Sequence, residues 1–400
     1  MIPISSRVSA LKTSPASVLA KRARELRAEG RDIILLSSGE LDFETPPHVV
    51  EAAHRAALAV PVGYTNIDGS VDLKEAIRGK FKRENGLNYA LDQIIVCNGS
   101  KQVMFNALMA TVTPGDEVIV PAPYWASYLD LATFAEAVPI IAETSQASNW
   151  KLTPEGLERA ISPRTRWLII NNPVNPTGGV YSAAELEGLA SVLRRHPNVL
   201  VMSDDLYEHI IFDGVPFATM ASAAPDLVER TLTINGVSKS YAMMGWRIGY
   251  GAGPTALIAN MVKVQSQSTS NASTVSQAAA EAALNGPQGE IARRQSVLVA
   301  ARNKVVDAIA EIPGLRLRAS AGTFYAYVAC DELLRIPEAR QSGLQNDRDV
   351  ARLLLDEAGV VVLPGEDCGL SPFFRINFAC TAPTLEAALA RIRSAIGSLR

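Results

Sequence analysis

The sequence predicts an α/β fold, with a mainly parallel seven-stranded sheet flanked by helices in a large domain and a smaller α+β domain beside it. Two observations lead to this fold. Short apolar runs rich in Val and Ile alternate with amphipathic segments of helical length between residues 94 and 251, and such alternation is typical of parallel strands joined by helices. After about residue 311 the pattern becomes a mixture of strands and helices, which indicates a second, smaller unit.

The order of the segments predicts where each element lies. Strands of the large sheet are expected at 94–97, 117–120, 138–142, 167–171, 199–203, 231–235 and 248–251. Helices are expected at 17–29, 49–59, 73–84 and 102–112, in an Ala-rich segment to 284, and in a long segment to about 311. The remaining elements are strands at 33–36, 323–329, 360–363 and 373–379, a helix at 349–357 and a final helix. We therefore assign residues 48–311 to the large domain, which would carry the main binding site, and residues 1–47 with 312–400 to an N-terminal arm and the small domain.

The composition restricts the class of protein. With 400 residues, 48% of them hydrophobic, the chain has enough apolar side chains for a sizeable core. The formal net charge of −3 shows no basic excess, so nucleic acid is not expected as a partner. No apolar run approaches the roughly 20 residues of a membrane span, and the four cysteines form no Cys-x-x-Cys pair. These features predict a cytoplasmic enzyme, and the four histidines lack ligand spacing, so no metal site is expected.

The stretch around Lys239 is the most informative one. A buried-strand pattern at 231–234 runs into a turn of small residues at 235–238, and Lys239 follows directly. A lysine on such a turn is well placed to lose its hydration, which favours the neutral amine that a Schiff-base nucleophile requires. The alternative is an ordinary surface-loop lysine.

Other predicted strands also end on polar residues. Gly99, Ser100 and Lys101 connect a strand to a helix, where free N–H groups form either an anion site or an ordinary β–α turn. Asp204 and Asp205 follow another strand; a buried Asp204 needs a cationic partner, whereas Asp205 is expected to be solvated. Because parallel strands gather their ligand site at their carboxyl ends, we expect these residues to lie together.

Four more residues are candidates because of their position. Asn175 lies in a turn stiffened by two prolines and a glycine, which is expected to aim its side chain inward. Trp125 places a flat ring near the same edge, although a single Trp is by default a core residue. Arg247 could supply a second charge to a bound phosphate. Arg375 interrupts an apolar strand, and we expect it to bind a substrate carboxylate rather than an internal acid.

Several segments resemble a known motif. Gly236-Val237-Ser238-Lys239, Ala242-Met243, Gly245 and Arg247-Ile248-Gly249, together with Asn175-Pro176-Thr177-Gly178, resemble the signature of class I aminotransferases, which use pyridoxal phosphate (PLP). These motifs occur in the right order over essentially the whole chain, which looks most like bacterial aspartate aminotransferases of the Iβ branch. The resemblance implies the PLP-dependent transferase fold type I, amino acid and 2-oxo acid substrates, and a homodimer with shared active sites.

The resemblance also implies a role for each site residue. Lys239 binds the cofactor covalently and moves a proton between substrate and cofactor, Asp204 pairs with the pyridine nitrogen, and Trp125 stacks on the ring. Tyr207 and Asn175 hydrogen-bond the phenolic oxygen. The other implied cofactor contacts are Gly99, Ser100, Lys101, Ser238, Arg247 and, from the neighbouring subunit, Tyr64. The implied substrate contacts are Arg375, Asn175, Trp125, Gly39 and Lys12.

Three positions depart from the pattern of the branch and concern the substrate. Leu41 replaces a proline in the loop over the carboxylate, and Ala16 lacks a hydroxyl that could meet a distal carboxylate. Asp68 near the entrance would disfavour an acidic substrate unless it faces away. Lys12 or Lys101 could still neutralise a dicarboxylate.

Aspartate is the first expectation for the amino donor and 2-oxoglutarate for the acceptor. An aminotransferase for an aromatic, aliphatic or sulfur-containing amino acid remains an alternative, as does a PLP-dependent lyase on the same fold. A PLP-binding protein with a regulatory role is the third hypothesis. The complete catalytic set argues against it, because a pure binder needs no such set.

Overall fold

A computed structural model describes residues 2–11, 15–59 and 61–399. For Pro15 and Ala16 it describes the backbone only. The helices are α1 Ser6–Ser9, α2 Pro15–Ala28, α3 Pro47–Leu58, α4 Val71–Lys80, α5 Ser100–Thr111, α6 Ser127–Phe134, α7 Pro154–Ala160, α8 Ala183–Leu193, α9 Met220–Ala223, α10 Thr255–Ser266, α11 Thr274–Asn285, α12 Gly289–Ala310, α13 Pro337–Gln341, α14 Asp347–Asp356 and α15 Ala382–Gly397. The strands are β1 Ile34–Leu35, β2 Ile94–Cys97, β3 Glu117–Pro121, β4 Val138–Ala142, β5 Thr165–Asn171, β6 Leu200–Asp204, β7 Thr231–Gly236, β8 Gly249–Ala252, β9 Tyr325–Ala329, β10 Val360–Val361, β11 Leu363–Pro364 and β12 Phe373–Asn377.

The large sheet has seven strands in the order β2-β8-β7-β6-β5-β3-β4. Strand β8 is antiparallel to both of its neighbours, and the other pairs are parallel. This confirms the predicted mainly parallel sheet. The carboxyl ends of β2, β5, β6 and β7 therefore meet at one edge, where a parallel sheet binds its ligands.

Helices cover both faces of this sheet. In β2, Ile94 and Val96 pack into one apolar cluster with α3, α4 and α11, while Ile95 and Cys97 pack into another with α5 and α10. All four side chains are fully buried. A strand that is buried on both faces reads as a continuous apolar run, which explains why these strands were recognisable in the sequence.

A second sheet is antiparallel, with the order β11-β12-β9. Its apolar cluster draws on α12, α14 and α15 and on the N-terminal Leu36. Strand β1 pairs in parallel with β10, which ties the start of the chain to this part of the molecule. The division into domains stays a prediction.

Some predicted boundaries were wrong because pairing decides where a strand ends. The run 360–363 divides into β10 and β11, since Val360 pairs with Ile34 whereas Leu363 pairs with Arg375. The predicted helix 73–84 ends as α4 at Lys80 and continues as the π-helical segment Phe81–Asn85. In the part of the chain that the structure describes, no helix combines the length and apolar character needed to cross a membrane.

Candidate active site

A cavity of about 360 Å³ lies at the carboxyl edge of the large sheet. Asp204 ends β6 and Lys239 lies in the turn that follows β7. The cavity is lined by eleven of the residues predicted from the sequence: Gly39, Ser100, Lys101, Trp125, Asn175, Asp204, Tyr207, Ser238, Lys239, Arg247 and Arg375. The turns after separate strands therefore bring these side chains to one place, as expected of a parallel sheet.

Lys239 faces the cavity and is not an ordinary surface-loop lysine. Its Nζ donates a hydrogen bond to the carbonyl oxygen of Gly39 and lies 5.6 Å from the centre of the Phe324 ring. Burial, reinforced by the positive charges of Arg375 and Arg247, lowers the pKa of Lys239 to about 8. With this pKa about a tenth of the amine is neutral at pH 7, far more than for an ordinary lysine, and the neutral form is a competent nucleophile and base.

Asp204 is a buried carboxylate with one strong partner. Its Oδ2 accepts a 2.5 Å hydrogen bond from the hydroxyl of Tyr128, and its Oδ1 accepts a longer one from the Leu206 amide at 3.4 Å. Burial raises the pKa of Asp204 to about 6. The group is thus suited to a cationic or N–H partner in the cavity.

The expectation for Asp205 was wrong. This side chain is buried rather than solvated, because its backbone still bonds to the sheet, where the Asp205 N–H donates to the carbonyl of Ile234 at 2.9 Å. Its Oδ1 accepts a hydrogen bond from the Ser203 hydroxyl at 2.9 Å, and burial raises its pKa well above the usual range. Asp205 therefore belongs to the protein interior beneath the cavity.

Arg375 is buried and bound only through neutral oxygen atoms. Its Nη1 donates to Oδ1 of Asn175 at 3.0 Å and its Nη2 to the carbonyl of Ser37 at 2.6 Å. Its Nε has no hydrogen-bond partner, and no carboxylate of the described residues forms an ion pair with it. The Tyr325 ring lies 4.2 Å from the guanidinium. A buried guanidinium that pairs with no acid of the protein is expected to bind an anionic ligand, such as a carboxylate.

Tyr207 and Asn175 complete this wall of the cavity. The Tyr207 hydroxyl lies 3.3 Å from that of Tyr325. The amide nitrogen of Asn175 donates to Oδ1 of Asn171 at 2.7 Å, which fixes the turn that carries the Asn175 side chain. Asn175 lines the cavity.

The start of α5 forms a cradle for an anion. Gly99 has φ +89°, and a Cβ atom there would lie 2.2 Å from Nη2 of Arg247, so glycine is required by both the backbone and the close approach. Ser100 begins α5, whose first N–H groups lack helical partners. The Lys101 ammonium lies 4.6 Å from the centre of the Trp125 ring and donates to the Ser127 hydroxyl at 3.0 Å. Two basic side chains, the free N–H groups at the start of α5 and the close approach that Gly99 permits are the features of a phosphate-binding site.

Among the described residues, two predicted site residues, Tyr64 and Gly99, do not line the cavity. Tyr64 is 93% exposed and does not line the cavity, and Lys12 lies outside the described residues. Gly99 lies directly beneath Arg247 and supports the wall.

The departures noted in the sequence have simple structural outcomes. Leu41 is buried in the apolar cluster beside the second sheet. The Asp68 carboxylate forms an ion pair with Lys74 and does not line the cavity, so it does not repel an acidic substrate there. The side chain of Ala16 lies outside the described part of the chain.

Sequence reasoning missed Tyr128, Tyr325 and Asp367, which also line the cavity. Tyr128 lies in the first turn of α6, three positions after Trp125, and its closeness in the chain to that candidate was the one available signal. Tyr325 on β9 and Asp367 in the turn after β11 carried no local signal, because both reach the cavity from far along the chain.

One acid–histidine group lies outside the cavity. Ligand atoms of Glu84, Glu208 and His209 lie within 4.8 Å of one another. The fully buried Lys80 ammonium lies among them, in contact with Glu208 and 3.6 Å from Glu84. The carboxylates thus surround a buried ammonium, and the absence of a metal stays a prediction.

The cavity fits pyridoxal phosphate on structural grounds. The buried Asp204 carboxylate suits a protonated pyridine nitrogen. The cradle at Gly99 and Ser100 suits the phosphate, and the partly neutral Lys239 amine suits the aldehyde.

Comparison with known proteins agrees with this geometry. The sequence model described as "Aminotransferase class I and II" matches residues 31–392. A probable aspartate/prephenate aminotransferase of Rickettsia bellii is 48% identical over 99% of both chains. The aspartate aminotransferase structure from Rhizobium meliloti has a TM-score of 0.96 at 47% identity, covering 99% of both chains. The Thermus thermophilus aspartate aminotransferase with maleate has a TM-score of 0.89 at 38% identity, covering 99% of this chain and 100% of that one. With its fold, its site and these similarities in agreement, the chain belongs to the class I and II aminotransferases and uses pyridoxal phosphate.

Proposed function

We propose that this aminotransferase moves the amino group of L-aspartate to a 2-oxo acid such as 2-oxoglutarate in two half-reactions. The names of its relatives, aspartate and aspartate/prephenate aminotransferases, support this choice. So does the charge of the cavity, whose wall carries four basic residues, Lys101, Lys239, Arg247 and Arg375, against three acidic ones, Asp130, Asp204 and Asp367. Substrates with two carboxylates are favoured by such a field.

The observation that carries the proposal is the state of Arg375. This buried guanidinium has an unpartnered Nε and only neutral acceptors, and it lines the same cavity as the Lys239 amine. We assign the α-carboxylate of the substrate to Arg375, assisted by Asn175 and the backbone of Gly39. A carboxylate held there would orient the substrate Cα relative to Lys239.

For the second carboxylate of aspartate we propose Lys101. Its ammonium lies over the Trp125 ring at the cavity wall. A role for Lys12 in the same contact remains part of the proposal. Neutralisation of both carboxylates would distinguish aspartate from a monocarboxylic amino acid of similar size.

When bound, pyridoxal phosphate supplies an aldehyde for the amino group and a ring that withdraws electrons from the substrate Cα. We assign its ring nitrogen to Asp204, its phenolic oxygen to Tyr207 and Asn175, and its ring face to Trp125. Its phosphate is assigned to Gly99, Ser100, Lys101, Ser238 and Arg247. Lys239, with a pKa of about 8, would take the proton from the substrate Cα and deliver it to C4′ of the cofactor, and would move it the other way in the second half-reaction.

The proposal includes a homodimer in which Tyr64 of one subunit reaches the phosphate of the other. The high exposure of this large aromatic side chain supports that role. We also propose residues 48–311 as the large domain and 1–47 with 312–400 as the arm and small domain; the apolar cluster around the second sheet supports this division. The four free cysteines support a reducing, cytoplasmic location.

A half-reaction screen tests the proposal. Purified enzyme with bound cofactor is mixed with single amino acids, and loss of the long-wavelength absorbance is followed as pyridoxamine phosphate accumulates. We expect the fastest loss with aspartate and recovery with 2-oxoglutarate, oxaloacetate or prephenate as the oxo acid. Fast reaction with another class of amino acid alone would contradict aspartate, and release of ammonia or a Cβ fragment would identify a lyase instead.

A further inference from the structure

His209 joins two segments of the active site without lining the cavity. It follows Tyr207 by two positions, and its Nδ1 lies 2.9 Å from Oγ of Ser240, the residue directly after Lys239. On the other side of the ring, Nε2 lies 3.0 Å from Oε2 of Glu84. Both ring nitrogens are therefore occupied, and the ring bridges an acid and the turn that carries Lys239.

The charge of Glu84 determines the direction of these hydrogen bonds. Burial disfavours the ionised form of Glu84, but the hydrogen bond from His209 and the charge of Lys80 outweigh it and lower the pKa to about 2. An ionised carboxylate only accepts hydrogen bonds, so we assign the ring hydrogen to Nε2 of His209. In the neutral imidazole, Nδ1 is then the acceptor for the Ser240 hydroxyl.

The backbone of Ser240 is held from another direction. Its carbonyl oxygen accepts a hydrogen bond from Nη1 of Arg294 at 3.0 Å, and Nη2 of the same guanidinium donates to the carbonyl of Glu44 at 2.6 Å. Ser240 is buried. Arg294 thus fixes the main chain of Ser240 and His209 fixes its side chain, so the residue next to Lys239 has little freedom to rotate.

Glu208 makes the corresponding contact at the start of the turn. Its Oε1 accepts a hydrogen bond at 2.8 Å from Nδ2 of Asn235, which lies four positions before Lys239. The consecutive residues Glu208 and His209 therefore bind the chain on both sides of Lys239. Tyr207 directly precedes them, so the same segment places both the Tyr207 phenol and the Lys239 amine at the cavity.

The position of an amine that moves a proton has to be set closely. Efficient transfer requires hydrogen-bond reach between the two heavy atoms, and a displacement of about 1 Å lowers the rate by up to about 10²-fold. The Lys239 side chain is long and flexible, so the location of its amine depends on how firmly its turn is held. Contacts that fix this turn therefore affect the chemistry even though they lie outside the cavity.

We propose that His209 is a positioning residue, which fixes the turn of Lys239 through the Ser240 hydroxyl and takes its own orientation from Glu84. The proposal rests on the proposed function, because it concerns the amine that binds the cofactor and moves the proton there. A purely structural His209, which only pairs with Glu84, is the competing explanation.

Two substitutions of His209 separate its two contacts. The short amide of His209→Asn lies near the place of Nδ1, so this variant keeps a partner for Ser240 and loses the contact with Glu84. The longer amide of His209→Gln lies near the place of Nε2, so this variant keeps Glu84 and loses Ser240. Ser240→Ala removes the same contact as His209→Gln from the opposite side.

The reaction of each apoenzyme with PLP measures how well the Lys239 amine is placed. Stopped-flow absorbance at pH 7.5 follows the appearance of the long-wavelength band. We expect His209→Gln and Ser240→Ala to react about tenfold more slowly than the wild type, and His209→Asn to stay within about threefold of it. His196→Gln is the matched control, because the His196 ring also bonds a glutamate, Glu158, but outside the cavity; it should react at the wild-type rate.

Turnover and urea unfolding complete the test. The kcat for aspartate and 2-oxoglutarate should fall in the same order as the PLP rate, while KM changes less than about twofold, because Arg375 still holds the carboxylate. Stability should follow a different order: His209→Asn leaves Glu84 without its imidazole and should unfold at a urea concentration no higher than that for His209→Gln, although it reacts faster.

Two results would overturn the proposal. One is a PLP rate that follows the order of stability, so that His209→Asn reacts no faster than His209→Gln. The other is a wild-type rate in Ser240→Ala, which decides the question even if a His209 variant fails to fold. Failure of the proposed function looks different: Lys239→Ala would then still form the long-wavelength band. A different amino donor would leave the PLP rates unchanged, because no amino acid is present in that measurement.

Discussion

The hydroxyl of Tyr128 donates a 2.5 Å hydrogen bond to Oδ2 of Asp204, linking the first turn of α6 to the end of β6. Burial raises the pKa of this carboxyl, and the hydrogen bond from Tyr128 opposes the rise. The charge that Asp204 presents to a ring nitrogen therefore depends on a residue 76 positions away. This contact joins cofactor chemistry to the packing of α6 on the sheet.

Replacing Tyr128 with Phe should raise the pKa of Asp204 further and weaken PLP binding by about tenfold. The defect should be largest near pH 6 and smaller above pH 8, because a higher pH restores the carboxylate. Absorbance titration of the apoenzyme with PLP measures the affinity. Tyr250→Phe, which changes a buried tyrosine of β8 outside the cavity, is the matched control; equal affinities for the two variants at pH 6 would contradict the role of Tyr128.

Replacing Lys239 with Ala should abolish both turnover and the long-wavelength absorbance of the bound cofactor, because the variant lacks the amine that binds the aldehyde and moves the proton. The loss of kcat should be at least about 10³-fold, within the range seen when a group with both roles is removed. Lys263→Ala removes an exposed lysine of α10 that bonds Asn260 and should behave as the wild type. Turnover of Lys239→Ala at the wild-type rate would contradict the catalytic role assigned to Lys239.

Replacing Arg375 with Ala should raise KM for amino acids and 2-oxo acids far more than it changes PLP affinity. The buried Asn175 Oδ1 and Ser37 carbonyl also lose their donor, so we expect kcat/KM to fall by about 10² or more. Arg375→Lys keeps the positive charge but cannot bind a carboxylate through two parallel hydrogen bonds, so it should recover only part of the lost kcat/KM. Unchanged KM and kcat in Arg375→Ala would show that the carboxylate binds elsewhere.

The lowered pKa of Lys239 predicts how the apoenzyme reacts with PLP as a function of pH. The neutral amine is the reactive form, so the rate should rise about tenfold per pH unit below the pKa of about 8 and level off above it. A free alkylamine with an ordinary pKa near 10.4 should continue to rise between pH 8 and 10. Stopped-flow absorbance measures both, and parallel profiles for the protein and the amine would contradict a lowered pKa.

The buried Lys80 predicts an effect on stability. Its ammonium contacts Glu208, which follows Tyr207 directly in the chain, and lies near Glu84. Lys80→Met leaves Glu208 buried without its cation and should lower the free energy of unfolding by about 3 kcal/mol. Urea unfolding at fixed protein concentration measures the change.

The double variant Lys80→Met/Glu208→Gln is the companion measurement, because it removes the unpaired charge as well. We expect it to unfold with a free energy between those of the wild type and Lys80→Met. If the two variants are equally stable, the ion pair is not the source of the loss.

The sequence predicted the sheet well because its strands are buried on both faces and therefore read as continuous apolar runs. It also predicted most of the cavity wall, since the turns that follow the parallel strands carry their functional residues within a few positions, as Lys239 does after β7. Exact boundaries were less predictable. Asp204 was expected to follow its strand but is its last residue, where it pairs with Ile234 of β7.

The sequence by itself determined the order of the elements, the turn that presents Lys239, and the motif that resembles aminotransferases. Those features are local, so apolar periodicity, turn residues and spacing encode them directly. Only the tertiary structure decided that Asp205 is buried, that Tyr128 supports Asp204, and that Asp68 is neutralised by Lys74. Burial and hydrogen bonding between segments distant in the chain set these properties, and no local pattern of residues carries that information.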